Sequence, residues 1–240
     1  TNRGRLITPL KDRFGSQIRT HYPLDAETEI AIMRQEARPT SIGSVQVLMP
    51  PYMEEIIATF SQLARASSHV NQRSGVSVRL SVSNLEVLAA NALRRGLRAG
   101  ETVVVPRVCD LEALPAATSG KIEIESLEEG REGAIVENLV RAAVLSVYKS
   151  RISPDLVREV VGGFDDGTVA HTGEDIASAD EARLIEQIPG LRPAVLSLTG
   201  GDESTAALAS AVEFVLEGLH LSKRLNKDPS GARSTYRSRS

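Results

Sequence analysis

Leu208, Ala211, Val212, Val215, Leu216 and Leu219 recur at spacings of three and four residues, so a helix over this stretch carries one apolar stripe. The pattern returns along the chain. Met53, Ile56, Ile57, Phe60, Leu63 and Ala64 share a helix face behind Pro50 and Pro51, and proline is at home in a first helical turn. Leu85, Leu88, Ala89, Ala92, Leu93 and Leu97 form another, with Ser83 and Glu86 at capping-box spacing and a stop near Gly100. Val136, Leu139, Val140, Ala143, Val144 and Val147 mark a further long helix, and Ser153-Pro154 reads as an N-cap with proline following. A chain of amphipathic helices must pack helix on helix. Composition agrees: only 3% of residues are aromatic and none is Trp, so the core is built from Ala, Val, Leu and Ile. The expected fold class is mainly α with a few short strands. The strand signals are Ser44 to Leu48, Val103 to Val105, and the alternation of Val76, Val78, Leu80 and Val82, which feeds directly into the helix placed at Ser83.

The length of 240 residues and mass of 25.8 kDa suit one large domain or two small ones. A net charge of −3 and a pI near 5.9 argue against bulk attraction to polyanions. No apolar run approaches the roughly 20 residues that span a bilayer, no signal peptide is evident, and the single Cys109 forms no internal disulfide. The expectation is a cytoplasmic protein without membrane contact. The chain begins at Thr1, so either a leader has been removed or a longer polypeptide is expected. Acids crowd Asp110 to Glu137, and bases crowd the end after Leu221. Ser, Gly and Arg from Asp228 onward predict a disordered basic tail over residues 228–240. Such a tail is a solubilising terminus or an arm for nucleic acid or an acidic partner, and the lack of stacking aromatics beyond Tyr236 disfavours nucleic acid.

Complete catalytic motifs are missing. Gly120-Lys121 is the nearest match to a phosphate-binding loop, but Pro115 replaces its first glycine and Ile122 its hydroxyl residue. Val195 to Leu198 before Asp202-Glu203 only faintly resembles a strand ending in Mg²⁺-binding acids, and Asp202 reads better as a helix cap. His21, His69, His171 and His220 are scattered. His171 with Glu174 and Asp175 is a weak candidate for metal binding. Cys109 has no base at a telling position.

Two local patterns stand above this background. In Leu10-Lys11-Asp12-Arg13-Phe14-Gly15, a turn anchored by Phe14 would present Arg13 at a surface, as a planar cation for phosphate or as the partner of Asp12 or Glu27. In Asn71-Gln72-Arg73-Ser74-Gly75-Val76-Ser77-Val78-Arg79, an arginine stands where a helix begins, within reach of a nucleotide or simply solvated.

In their order, these segments resemble the magnesium-chelatase I subunit and MoxR branches of the AAA+ ATPases. Leu10 to Gly15 is similar to the arginine-finger motif of that branch, and Gly75 to Arg79 to the Gly-x-Ser-x-Arg stretch bearing its sensor-2 arginine. Val78 stands where the branch commonly has proline. The resemblance covers roughly residues 5 to 100. It implies Arg13 as a trans-acting finger and Arg79 as the cis-acting sensor, with Arg73 the alternative for the second role. It also implies a domain plan: the end of an AAA+ core (1–38), a helical lid (39–100), an additional helical region (101–227) and the tail (228–240). ATP and Mg²⁺ are implied in the intact assembly and none is expected to be held by this chain alone, because the phosphate loop and the Mg²⁺-binding acids of the family lie upstream of the finger. Partners implied are further copies in a ring and a protein with a von Willebrand-type domain. Residues 101–240, with the Phe214-to-Leu225 stripe, are expected to offer an oligomer or partner surface. The competing expectation is a stand-alone helical interaction module without nucleotide chemistry.

Overall fold

The computed structural model describes residues 12–16, 18, 20–38, 41–71, 75–124 and 131–239. Among the described residues three helices come first: α1 (Ala26–Glu36), α2 (Pro51–Ala66) and α3 (Val78–Ala99). Asp25 caps α1, its Oδ1 accepting the Thr28 N–H at 2.7 Å. Pro51 begins α2, which buries Met53, Ile56, Ile57, Phe60 and Ala64 as the spacing predicts. Gly100, left-handed at φ +70°, ends α3. Beside these helices β1 (Ser41–Ile42) and β2 (Val45–Val47) pair antiparallel, and β2 pairs parallel with β3 (Val103–Val104).

A 3₁₀ turn (Val108–Ala113) leads into α4 (Leu114–Thr118), α5 (Glu132–Arg151) and α6 (Pro154–Gly162). Ser153 caps α6, accepting the Leu156 N–H at 3.4 Å, and Pro154 follows it. Next come β4 (Val169–Gly173), α7 (Ser178–Ala182), α8 (Leu184–Gln187), α9 (Leu191–Thr199), α10 (Thr205–Leu221), β5 (Leu225–Ser230) and β6 (Arg233–Ser238). The last three strands form an antiparallel sheet in the order β4-β6-β5. The described architecture is therefore mainly α with short strands.

Helix α10 sits at the centre, packed by α5, α7 and α9 and buried almost all round from Ala206 to Leu219. Phe214 lies 4.8 Å from the Tyr52 ring of α2 and 6.1 Å from Tyr148 of α5. Gly218 permits the close approach of Tyr148, since a Cβ there would stand 2.0 Å from the ring. One apolar core runs from Met33 to Tyr236 and continues across residue 100. Burying each such Phe, Leu or Val side chain contributes roughly 1.5–3 kcal/mol.

Several sequence expectations fail here. The helix placed at Ser83 begins at Val78, capped by Ser77, and the Val76–Val82 alternation forms no strand. The reason is tertiary: Leu80 joins Leu85 and Leu88 on the buried face, so the helical period prevails. Glu86 accepts the Arg38 N–H at 3.1 Å instead of closing a capping box. The tail expected to be disordered is the β5–β6 hairpin through Ser238. Tyr236 is fully buried and Leu225 nearly so, while Arg233 and Arg237 point outward to Asp175 and Asp228. Nor is the Phe214-to-Leu225 stripe an outer surface, because Phe214, Val215, Leu216, Leu219 and Leu225 are all core residues. Asp202 is not the cap of α10: Ser204 holds the N-cap position without a side-chain capping bond, and Asp202 Oδ1 accepts the Ser204 N–H at 2.8 Å in the turn before it. Among the described residues no helix is long and apolar enough to cross a membrane.

Candidate functional site

Arg79 stands in the first turn of α3, exposed, with its backbone N–H donating to Ser77 Oγ at 3.3 Å. Among the described residues its guanidinium makes no ion pair. The ground beneath it is firmly built. Glu29 of α1, fully buried, accepts both Nη groups of Arg65 of α2 at 2.6 and 2.7 Å, and also accepts the Ser81 hydroxyl of α3. Ser81 and Ser61 share a further hydrogen bond at 2.8 Å. This bidentate, buried arrangement ties three helices together at the start of α3.

Tyr22, nine residues after Arg13 in the chain, meets the same place. The Val76 N–H donates to the Tyr22 hydroxyl at 3.1 Å, and the Arg65 guanidinium lies 4.9 Å from the centre of the Tyr22 ring. Gly75 makes room for that hydroxyl: its φ is +70°, and a Cβ there would fall 2.2 Å from the oxygen. Arg13 occupies an exposed turn and, among the described residues, forms no ion pair, neither with Asp12 nor with Glu27. Phe14 does not anchor that turn, being 63% exposed, and Ile18 and Leu24 are 85% exposed. No hydrogen bond or ion pair joins Arg13 to Arg79. Arg73 lies outside the described residues.

A second polar constellation, unread in the sequence, binds α3 to the rest of the molecule. Arg95, buried in α3, holds the Asp110 carboxylate at 3.0–3.2 Å and donates to the Val105 carbonyl at 2.9 Å. Arg107, equally buried, pairs with Glu181 of α7 at 3.0 Å and donates to Ser178 Oγ at 2.6 Å. Asp110 also accepts the Arg107 N–H at 2.8 Å, and Glu181 accepts the Gly173 N–H at 2.9 Å. Burial holds the Glu181 and Glu213 carboxyls above the usual glutamate range despite Arg107. Burial likewise pushes up the Cys109 thiol, which stays protonated and is a poor nucleophile.

The spacing of Arg95 with Leu88 and Ala92 on one helix face was the available signal for this network. A charged residue on an apolar stripe demands a buried partner. The metal candidate dissolves into ion pairs: Glu174 meets Arg98 at 2.5 Å and Asp175 meets Arg233 at 2.9 Å. Among the described residues no group of three or more side chains is arranged to hold a metal ion.

No protein-family model matches the chain, and neither a curated protein nor a solved structure matches it significantly.

Proposed function

We propose that this chain is the C-terminal part of an ATP-driven, ring-forming remodelling ATPase of the magnesium-chelatase and MoxR type, contributing Arg13 in trans and Arg79 in cis. The observation that carries the reading is the pairing of cation and support. Among the described residues Arg79 is exposed and without an ion pair at a helix N-terminus, near a Glu29–Arg65–Ser81 lock that Tyr22 also touches. The positive end of α3 adds to the attraction for phosphate oxygens.

Two exposed arginines suit a triphosphate and not its metal. Mg²⁺ requires oxygen ligands, and among the described residues no such set is found. On this reading the phosphate-binding loop and the metal acids would be supplied by another segment of the assembly. ATP, when bound there, supplies the phosphoanhydride to be cleaved. Arg13 would lie against the γ-phosphate of the nucleotide on a neighbouring copy and offset developing charge, while Arg79 would draw the helical unit onto its own subunit's nucleotide. A partner with a von Willebrand-type domain follows from the same resemblance.

The test is ATP hydrolysis by the polypeptide as its source cells make it. Arg13→Ala is expected to lower kcat by about 10³-fold or more, and Arg79→Ala to lower it as well. Unchanged activity in the all-variant protein contradicts the assignment. A second reading, a helical interaction module without nucleotide chemistry, draws on the exposed Phe14, Ile18 and Leu24. It predicts that the wild-type polypeptide shows no ATP hydrolysis at all.

A further inference from the structure

A cleft of about 540 Å³ opens between the 3₁₀ turn, α5, the C-terminal half of α10 and the β5–β6 hairpin. Glu213 and Glu217, successive turns of α10 and both nearly fully buried, line it. The chain itself answers Glu217: its Oε2 accepts the Lys227 ammonium at 2.7 Å and the Tyr236 hydroxyl at 2.7 Å. Glu213 is not answered in the same way. Its Oε1 accepts the Cys109 N–H at 3.1 Å, but its Oε2, on a residue only 3% exposed, has no hydrogen-bond partner among the described residues. An unsatisfied buried carboxylate oxygen is costly. Glu112 and Glu137, also lining the cleft, are exposed and form no ion pair among the described residues. Against these four acids the cleft carries Lys227, already engaged, Arg141, and His220, whose Nδ1 meets the Leu225 carbonyl.

We propose that this cleft binds a small aliphatic amine, a diamine or polyamine, with one ammonium group on Glu213 and another held by Glu112 and Glu137. The Lys227–Glu217 contact shows the chemistry in the chain's own atoms: an alkylammonium laid on an α10 glutamate inside this cleft. Leu111, Val140, Val144 and Leu221 supply aliphatic wall for the methylene chain. The volume suits a small molecule. An excess of carboxylates excludes an anion, and among the described residues no ligand set fits a metal ion.

The charged and titratable neighbours of Glu213 are Arg95 on α3, Arg107, Cys109 and Asp110 at the 3₁₀ turn, Glu181 on α7, Lys227 on β5, Tyr236 on β6 and Tyr52 on α2, with Glu217 and His220 of its own helix on the same cleft. Together with burial they leave its carboxyl above the usual range. An arriving ammonium favours the ionised form, so binding releases a proton and strengthens as pH rises.

Titration calorimetry of the chain with 1,4-diaminobutane and spermidine tests this. Saturable binding is expected, stronger at pH 8 than at pH 6, and weaker by about tenfold or more in Glu213→Gln, a change of about 1.4 kcal/mol. Glu137→Gln, on an exposed position that leaves the core intact, is expected to weaken the diamine several-fold and to leave n-butylamine unaffected. It decides the matter should Glu213→Gln fail to fold. No saturable binding to the wild type, unchanged affinity in Glu137→Gln, or equal displacement by Mg²⁺ overturns the proposal. Tighter binding of Nα-acetyl-lysine methylamide than of diaminobutane also overturns it, because the site would then read a lysine side chain of a partner.

Discussion

Gly75 and Tyr22 show how one position is fixed from far away. They meet because the Tyr22 hydroxyl needs the space a Cβ would fill, across a loop closed by a hydrogen bond spanning 54 residues. Gly75→Ala forces both a left-handed backbone and a clash, and is expected to cost roughly 1–3 kcal/mol in urea unfolding. Adding Tyr22→Phe removes the clashing oxygen and is expected to return part of that loss. Equal stability of Gly75→Ala and wild type would show that the contact is not made. The sequence marked Gly75 as part of a Gly-x-Ser-x-Arg pattern, but its reason was illegible, because Tyr22 is distant along the chain. The same holds for Glu29, Arg65 and Arg95. Each is one half of a buried pair, and no local spacing names the other half.

Helices α2, α5 and α10 were legible as elements, since a three- and four-residue apolar period is a local property, and so were the proline start of α2 and the Ser153-Pro154 start of α6. The β5–β6 hairpin was not. Its composition of Ser, Arg and Gly is that of a solvated chain, and only two anchors, Leu225 and Tyr236, face the core. The hairpin's worth can be measured. Tyr236→Ala opens a cavity and removes the hydroxyl that Glu217 accepts, with an expected loss of about 3–5 kcal/mol. A disordered tail would tolerate the change without cost. Where the hairpin meets α10, the raised Glu213 carboxyl also sets a pH dependence. A glutamate whose folded-state pKa exceeds its unfolded value binds its proton more tightly when folded. Its contribution is full below about pH 4.5 and is lost as pH rises through the folded value. Urea midpoints are therefore expected to fall less steeply between pH 5 and pH 8 in Glu213→Gln than in wild type. Identical slopes would show that Glu213 does not titrate there.

At the scale of the molecule, one core joins the early helices to the late ones, with α10 as its axis and the Arg95–Asp110 and Arg107–Glu181 pairs as polar fasteners. Breaking either buried pair from one side costs about 3–5 kcal/mol, because it strands a charge. The proposed function would ask for such fastening: Arg79 stands on a helix tied into the core, not on a loop. Heterologous contacts between copies close into a ring, and a finger acting in trans makes each active site the joint product of two subunits. An equal mixture of Arg13→Ala and Arg79→Ala polypeptides, each expected to be inactive alone, separates that arrangement from any other. With random assembly about a quarter of the interfaces carry both native arginines, so ATP hydrolysis is expected to recover to about a quarter of the wild-type rate. A mixture as inactive as its components would contradict action between subunits.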